Sequence, residues 1–163
     1  MIVSELSQEE CRELLTKVGF GRLACSRENQ PYVVPIYFAF EPDCLYGFAT
    51  MGQKIEWMRS NPLVCVEVDD VKSHVDWTSV VLQGRYEEFP DTPAHATQRQ
   101  RAQGLLEKRG LWWQTALGAA QTRARFDRDN PVFYCLRIEK ISGRRASSDP
   151  VEVSFGVAPT ASD

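Results

Sequence analysis

Thr50, Gln53 and Lys54 are the residues of this 163-residue chain whose types and spacing most plainly suggest chemistry. They lie in the segment Leu45 to Pro62. Tyr46, Phe48 and Thr50 alternate there with Leu45, Gly47 and Ala49, the period-2 pattern of a strand. Thr50 and Gln53 then stand at capping-box spacing, and Asn61-Pro62 stops the short helix that follows. A helix N-terminus presents unpaired N–H groups and the positive end of its dipole. With the Lys54 ammonium on the first turn, the spacing predicts a phosphate site. The plainer alternative is a surface lysine on an ordinary helix.

Other candidates are weaker. His74 sits in a polar loop between Asp69 and Asp76; its imidazole suits proton transfer near neutrality, and a solvated loop histidine is the alternative. His95 falls at a helix start and reads as structural or exposed. The pair Trp112-Trp113 offers an aromatic face for a planar ligand, against core packing or a dimer contact. Asp69, Asp70 and Asp76 have no spaced His, Cys or Glu set to complete a metal site. Ser79 lacks the His and acid partners of a nucleophile. No GxGxxG and no Walker A sequence occurs, so the usual dinucleotide and nucleoside triphosphate sites are not expected. The five cysteines (Cys11, Cys25, Cys44, Cys65 and Cys135) are odd in number, contain no CxxC, and mostly lie in apolar patterns. They are expected to be reduced core residues of a cytoplasmic protein.

The elements that position these groups are short. Ser7 and Glu10 predict a capping box, with Leu14, Leu15 and Val18 as the apolar stripe of a helix over 7–18 ended by Gly19. Strands are expected at Phe20–Ser26, Pro31–Phe40, Cys44–Thr50, Leu63–Val68, Trp77–Phe89 and Val132–Ile141. Further helices are expected near 52–60 and 93–109. Pro35 lacks a ladder donor, so the second strand must be an edge or bulged there. Gly84 marks a bulge or bend in the fifth. Hairpin order with few intervening helices argues for a mainly antiparallel, closed or half-closed sheet rather than a doubly wound parallel one. Residues 1–142 form one domain in this reading, and 143–163 an irregular tail.

Composition bounds the rest. A net charge of −3, from 19 basic and 22 acidic side chains, does not favour nucleic acid or an anionic membrane. The Arg99/Arg101 and Arg123/Arg125 clusters are interrupted by acids. No apolar run approaches the length of a membrane span, and the acidic start does not resemble a signal peptide. Apolar side chains on both faces of the second strand (Tyr32, Val34, Ile36 against Val33, Pro35, Tyr37) exceed what one small barrel covers. A two-fold dimer is expected to bury the second face.

The order of these patterns resembles the pyridoxamine 5'-phosphate oxidase-like family of FMN-binding split β-barrels. The patterns are Gly-Arg-Leu-Ala-Cys, Pro-Tyr-Val-Val-Pro-Ile-Tyr-Phe, Leu-Tyr-Gly-Phe-Ala-Thr, Gly-Gln-Lys, Asn-Pro-Leu-Val-Cys-Val and Trp-Thr-Ser-Val-Val-Leu-Gln-Gly. Within the family the chain is most similar to the nitroimidazole-resistance branch. The resemblance implies a six-stranded antiparallel split barrel with peripheral helices, binding FMN in a cleft shared by two subunits. It implies that Thr50, Gln53 and Lys54 hold the flavin phosphate. Backbone at Val34, Pro35 and Ile36 would border the ring, as would Ser79 and Val80. His74 falls about where that branch has an active-site histidine. Ser79 and Val81 stand where true pyridoxamine 5'-phosphate oxidases carry glutamine and arginine, and the oxidase's C-terminal arginine and histidine pattern is absent, so that reaction is not implied.

The function expected is an FMN-dependent oxidoreductase acting on a small planar or electron-poor organic molecule, with His74 delivering a proton. Two rivals are a non-catalytic flavin carrier or sensor, and a reductase using the deazaflavin F420. The acidic tail of F420 prefers a basic groove that this acidic chain does not display.

Overall fold

The computed structural model describes residues 1–109 and 131–148. Trp112, Trp113, Arg123, Arg125 and residues 149–163 lie outside the described residues. Among the described residues eight strands and three α-helices follow in the order β1 (Ile2–Glu5), α1 (Gln8–Val18), β2 (Phe20–Arg27), β3 (Gln30–Tyr37), β4 (Ala39–Glu41), β5 (Cys44–Ala49), α2 (Gln53–Ser60), β6 (Leu63–Ser73), β7 (Asp76–Phe89), α3 (Ala96–Glu107) and β8 (Val132–Ser147).

Every strand pairing is antiparallel, in the order β3-β2-β6-β7-β8-β5-β4, with β1 added on β8. The two ends of this path, β3 and β4, are separated in the chain by Phe38 alone. The sheet must therefore curl so that β3 and β4 come together at that corner without pairing, which makes it an unclosed, split barrel. Phe38 sits at the junction, 1% exposed, its N–H donating to the Gly19 carbonyl at 3.0 Å.

This junction explains why eight strands stand where six are expected. The apolar run Pro31–Phe40 is one stretch in sequence, but it pairs with β2 before Phe38 and with β5 after it. The other addition, β1, is exposed along its whole length and so carries no alternating pattern. Its pairing with β8 accompanies an extension of that strand to Ser147, into the 143–163 span expected to be an irregular tail. The third expected helix is in two parts, a 3-10 turn at Pro93–His95 and then α3.

Local signals otherwise act as their chemistry requires. The Ser7 hydroxyl accepts from Glu10 N–H at 3.2 Å while the Glu10 carboxylate accepts from Ser7 N–H at 2.8 Å, and Gly19 closes α1 at φ 62°. Among the described residues β3 pairs only with β2, so Pro35 lies on an edge strand there. At Gly84 the β7–β8 register shifts, and a Cβ there would lie 2.2 Å from the Arg137 carbonyl oxygen.

The barrel core holds Leu15, Leu23, Leu45, Ile55, Met58, Val66, Leu82 and Leu136, all fully buried. A second cluster around Phe89, Leu106 and Phe133 lies beneath α3. Within it Cys44 and Cys135 form a disulfide between β5 and β8, which corrects the expectation of five reduced thiols. Their Cα atoms are 6.0 Å apart across a sequence separation of 91, a proximity that only strand register creates. Cys11, Cys25 and Cys65 are free. Among the described residues no helix is long and apolar enough to cross a membrane.

Candidate functional site

The β5–α2 corner is built from the inside outward. Ala49 ends β5 opposite Val132 and is buried; Thr50 and Met51 follow, half-buried. Ile55 and Met58, three apart on one helix face, are fully buried and anchor α2 in the core. Trp57 packs its ring 5.4 Å from that of Tyr32 on β3. The far end is tied down twice. Asn61 Nδ2 donates to the carbonyl and the hydroxyl of Ser26, both at 3.1 Å, and the Arg59 guanidinium grips the Glu88 carboxylate at 2.7 and 2.8 Å.

The start of α2 differs from expectation in one respect. Its N-cap is Gly52, with no side-chain cap, so Thr50 and Gln53 do not form a capping box. Gly52 carbonyl accepts from Ile55 and Glu56 at 3.0 and 3.1 Å, and the helix begins at Gln53, three residues after Thr50 rather than next to it. Nothing lies within 4 Å of where a Gly52 Cβ would stand, so the first turn opens outward. Gln53 is exposed there and Lys54 is half-buried.

Lys54 is the electrostatic centre of this corner. Burial pulls its ammonium below the ordinary lysine value, and the nearby Cys25 thiol acts in the opposite sense. Burial in turn pushes the Cys25 thiol up. Among the described residues Lys54 has no carboxylate partner and no hydrogen bond. A half-desolvated cation beside free helix N–H groups is completed by an anion, and a phosphate dianion supplies enough acceptors for all of them. The chemistry of the donor set fits a phosphate.

The remaining expected residues lie on the β3-β2-β6-β7 side. Pro35 is exposed, Val34 half-buried, and Ile36 packs into the core. Val80 is fully buried between Val68 and Gly143 in the ladder, so it supports Ser79 from behind. Ser79 lines a hollow of about 390 Å³ with Trp77, Val81, Gly143 and Arg144. A second hollow of the same size, lined by Cys25, Ser26, Leu63, Cys65 and Gln83, opens nearer Lys54. His74 is exposed in the two-residue turn joining β6 to β7.

A single chain does not gather all of these. Cys25, the neighbour of Lys54, is opposite Val64, and Val64 is opposite Gly84. From Gly84 to Ser79 is five residues of strand, roughly 17 Å, and from Val64 to Ser73 nine residues, roughly 30 Å. Thr50, Gln53 and Lys54 therefore cluster at one end of the β6–β7 hairpin, and Ser79 and His74 lie toward the other.

The model of the pyridoxamine 5'-phosphate oxidase family matches residues 7–145. The chain belongs to this family. An uncharacterised protein of Rhizobium meliloti is 38% identical over 146 residues, covering 90% of this chain and 97% of that protein. The crystal structure of an FAD-binding protein from Mesorhizobium loti is 44% identical, with a TM-score of 0.73 over 91% of this chain and 99% of that one. A candidate 5-nitroimidazole antibiotic resistance protein from Bacteroides thetaiotaomicron shares the fold at 19% identity, with a TM-score of 0.64 over 91% of this chain and 93% of that one.

Family membership accounts for the split barrel but leaves one feature of this chain unexplained. Arg22 on β2 bridges Glu67 and Asp69 on β6, and Ser79 on β7 donates to Glu67. Nothing in the local spacing of these four residues signals the cluster, because three different strands supply it.

Proposed function

We propose that the protein binds a flavin, FMN in the first instance, with its phosphate at Thr50, Gln53 and Lys54. The observation that carries this is the half-buried Lys54 ammonium, without a partner among the described residues, at the open first turn of α2. In support, the relative from Mesorhizobium loti, 44% identical, is described as an FAD-binding protein. That relative is also the reason to hold FAD as a second reading, since FAD contains the same ring, ribityl chain and first phosphate.

Each residue then has a physical task. Lys54 neutralises the phosphate, Gln53 and the first N–H groups of α2 donate to it, and Thr50 offers a hydroxyl from the end of β5. The exposed Pro35 edge, stiffened by Val34 and Ile36 behind it, forms a wall for a planar ring. Ser79, backed by Val80, presents a polar contact. A flavin supplies hydride and single-electron transfer, and the protein orients it and limits competing reactions. The reading is an oxidoreductase acting on a small planar or electron-poor organic substrate. His74 would serve as proton donor; a carrier without that step is the rival.

The separation of the two residue groups along the hairpin points to a second copy of the chain. Val33, Leu63 and Tyr37 are 60%, 52% and 47% exposed on the outer sheet face that also carries the hollows. In our reading a two-fold partner covers this face and brings its Ser79 and His74 toward the phosphate corner.

The test is direct. Purified protein is loaded with FMN, FAD or riboflavin, and the flavin retained after gel filtration is released and identified by mass. FMN should bind at least ten times more tightly than riboflavin, which lacks the phosphate. Equal affinity for the two removes the phosphate site, and no flavin uptake removes the whole reading. Reduction by NADH or NADPH followed by reoxidation with a nitroaromatic separates enzyme from carrier.

A further inference from the structure

Four polar side chains from β2, β6 and β7 form a cluster on the outer face of the sheet, with Asp69 standing opposite Ser79 in the ladder. Ser79 Oγ donates to Glu67 Oε1 at 2.8 Å. Glu67 Oε2 accepts from Arg22 Nη1 at 3.3 Å, and the same Nη1 donates to Asp69 Oδ1 at 2.6 Å. In the ladders Pro35 stands opposite Arg22, Arg22 opposite Glu67, and Glu67 opposite Val81. The cluster thus lies between the exposed Pro35 edge and the hollow that holds Ser79 and Trp77.

Two consequences follow from the chemistry of these groups. A serine hydroxyl has one hydrogen and two lone pairs. Glu67 takes the hydrogen, so Ser79 faces the hollow as an acceptor only. The cluster also sets two carboxylates against one guanidinium and keeps a net negative charge. Arg144, opposite Ser79, does not cancel it, because its guanidinium faces Glu5 at 3.6 Å.

We propose that Glu67 is a positioning residue for the flavin ring: through Ser79 it selects a ring N–H group, and through its charge it disfavours the reduced, electron-richer flavin. This rests on the flavin reading above. Glu67 needs no contact with the ring itself. It acts through the hydroxyl it orients and the field it sets, and Arg22 and Asp69 hold it in place.

Two substitutions separate the two effects. Glu67→Gln retains an amide oxygen to accept from Ser79 but removes the charge. Glu67→Asp retains the charge but withdraws it by one methylene, out of reach of Ser79. FMN-loaded wild type and both variants are compared by the affinity for oxidised FMN and by the two-electron midpoint potential, with melting temperature as a control. Glu67→Gln should bind oxidised FMN within about twofold of wild type. It should favour reduced over oxidised FMN by about tenfold more, a rise of roughly 30 mV in potential. Glu67→Asp should leave the potential unchanged and weaken oxidised FMN by about fivefold, within the range of one lost neutral hydrogen bond. Ser79→Ala should match Glu67→Asp. An unchanged potential in Glu67→Gln, or equal losses in all three variants, overturns the inference. The flavin reading survives that outcome if Lys54→Ala still loses FMN, whereas a wild type that takes up no flavin ends both.

Discussion

A lysine ammonium held half out of water without a carboxylate is an incomplete electrostatic arrangement, and among the described residues Lys54 is in that position. Lys54→Ala should lower FMN affinity about 10- to 150-fold, the range of a charge-assisted contact worth about 1.5–3 kcal/mol, and leave the fold intact. Titration calorimetry measures the first and urea unfolding the second. The sign of the pH effect follows from burial. The folded protein disfavours the charged lysine, so stability without ligand should rise as pH climbs through the lowered Lys54 pKa toward the ordinary value of 10.5. FMN affinity should fall over the same interval as the ammonium disappears, and Lys54→Ala should abolish both trends. Thr50→Ala should reduce affinity with little change in stability, because Gly52 rather than Thr50 caps α2.

At the scale of elements, α2 is a platform whose two ends are fixed differently. The N-terminal turn is open for a ligand, while the C-terminal end is tied to β2 and β7. Asn61 makes three contacts there, two to Ser26 and one at 3.2 Å accepting from Leu63 N–H. At about 0.5–1.5 kcal/mol net for each of these three hydrogen bonds, Asn61→Ala should destabilise the protein by roughly 1.5–4.5 kcal/mol in urea unfolding. The Arg59–Glu88 pair ties the same end to β7. Hydrogen bonding to Arg59 holds the Glu88 carboxyl below its ordinary value of 4.5. Its contribution is therefore present above that value and fades as pH falls through the lowered pKa. Glu88→Gln should cost up to about 1 kcal/mol at neutral pH and nothing once wild-type Glu88 is protonated, read from unfolding at a series of pH values.

For the whole molecule, the exposed apolar face and the disulfide make two statements that solution measurements check. If a second copy covers the face carrying Val33 and Tyr37, light scattering should give twice the mass of one chain at micromolar concentration. Val33→Asp should shift the population to monomer and weaken FMN binding together, since a buried, unpaired carboxylate is costly at an interface. A monomeric wild type refutes the shared cleft. Under denaturing conditions without reductant, three thiols should react, and after reduction all five.

How much of this was legible in the chain varies with the range of the interaction. The capping box at Ser7, the stop at Asn61, the edge strand at Pro35 and the bulge at Gly84 were all readable, because each depends on the covalent or hydrogen-bonding nature of one or two neighbouring residues. Lys54 on the first turn of α2 was readable for the same reason. The Thr50 cap was misread because spacing alone does not say where the strand releases the chain, and here Gly52 intervenes. The alternating strands and few helices determined a mainly antiparallel sheet. Only the tertiary structure decided that Phe38 divides one apolar run between two partners, that Cys44 meets Cys135, and that Arg22, Glu67, Asp69 and Ser79 form one cluster. These depend on strand register, which places residues tens of positions apart within bonding distance and leaves no trace in local sequence.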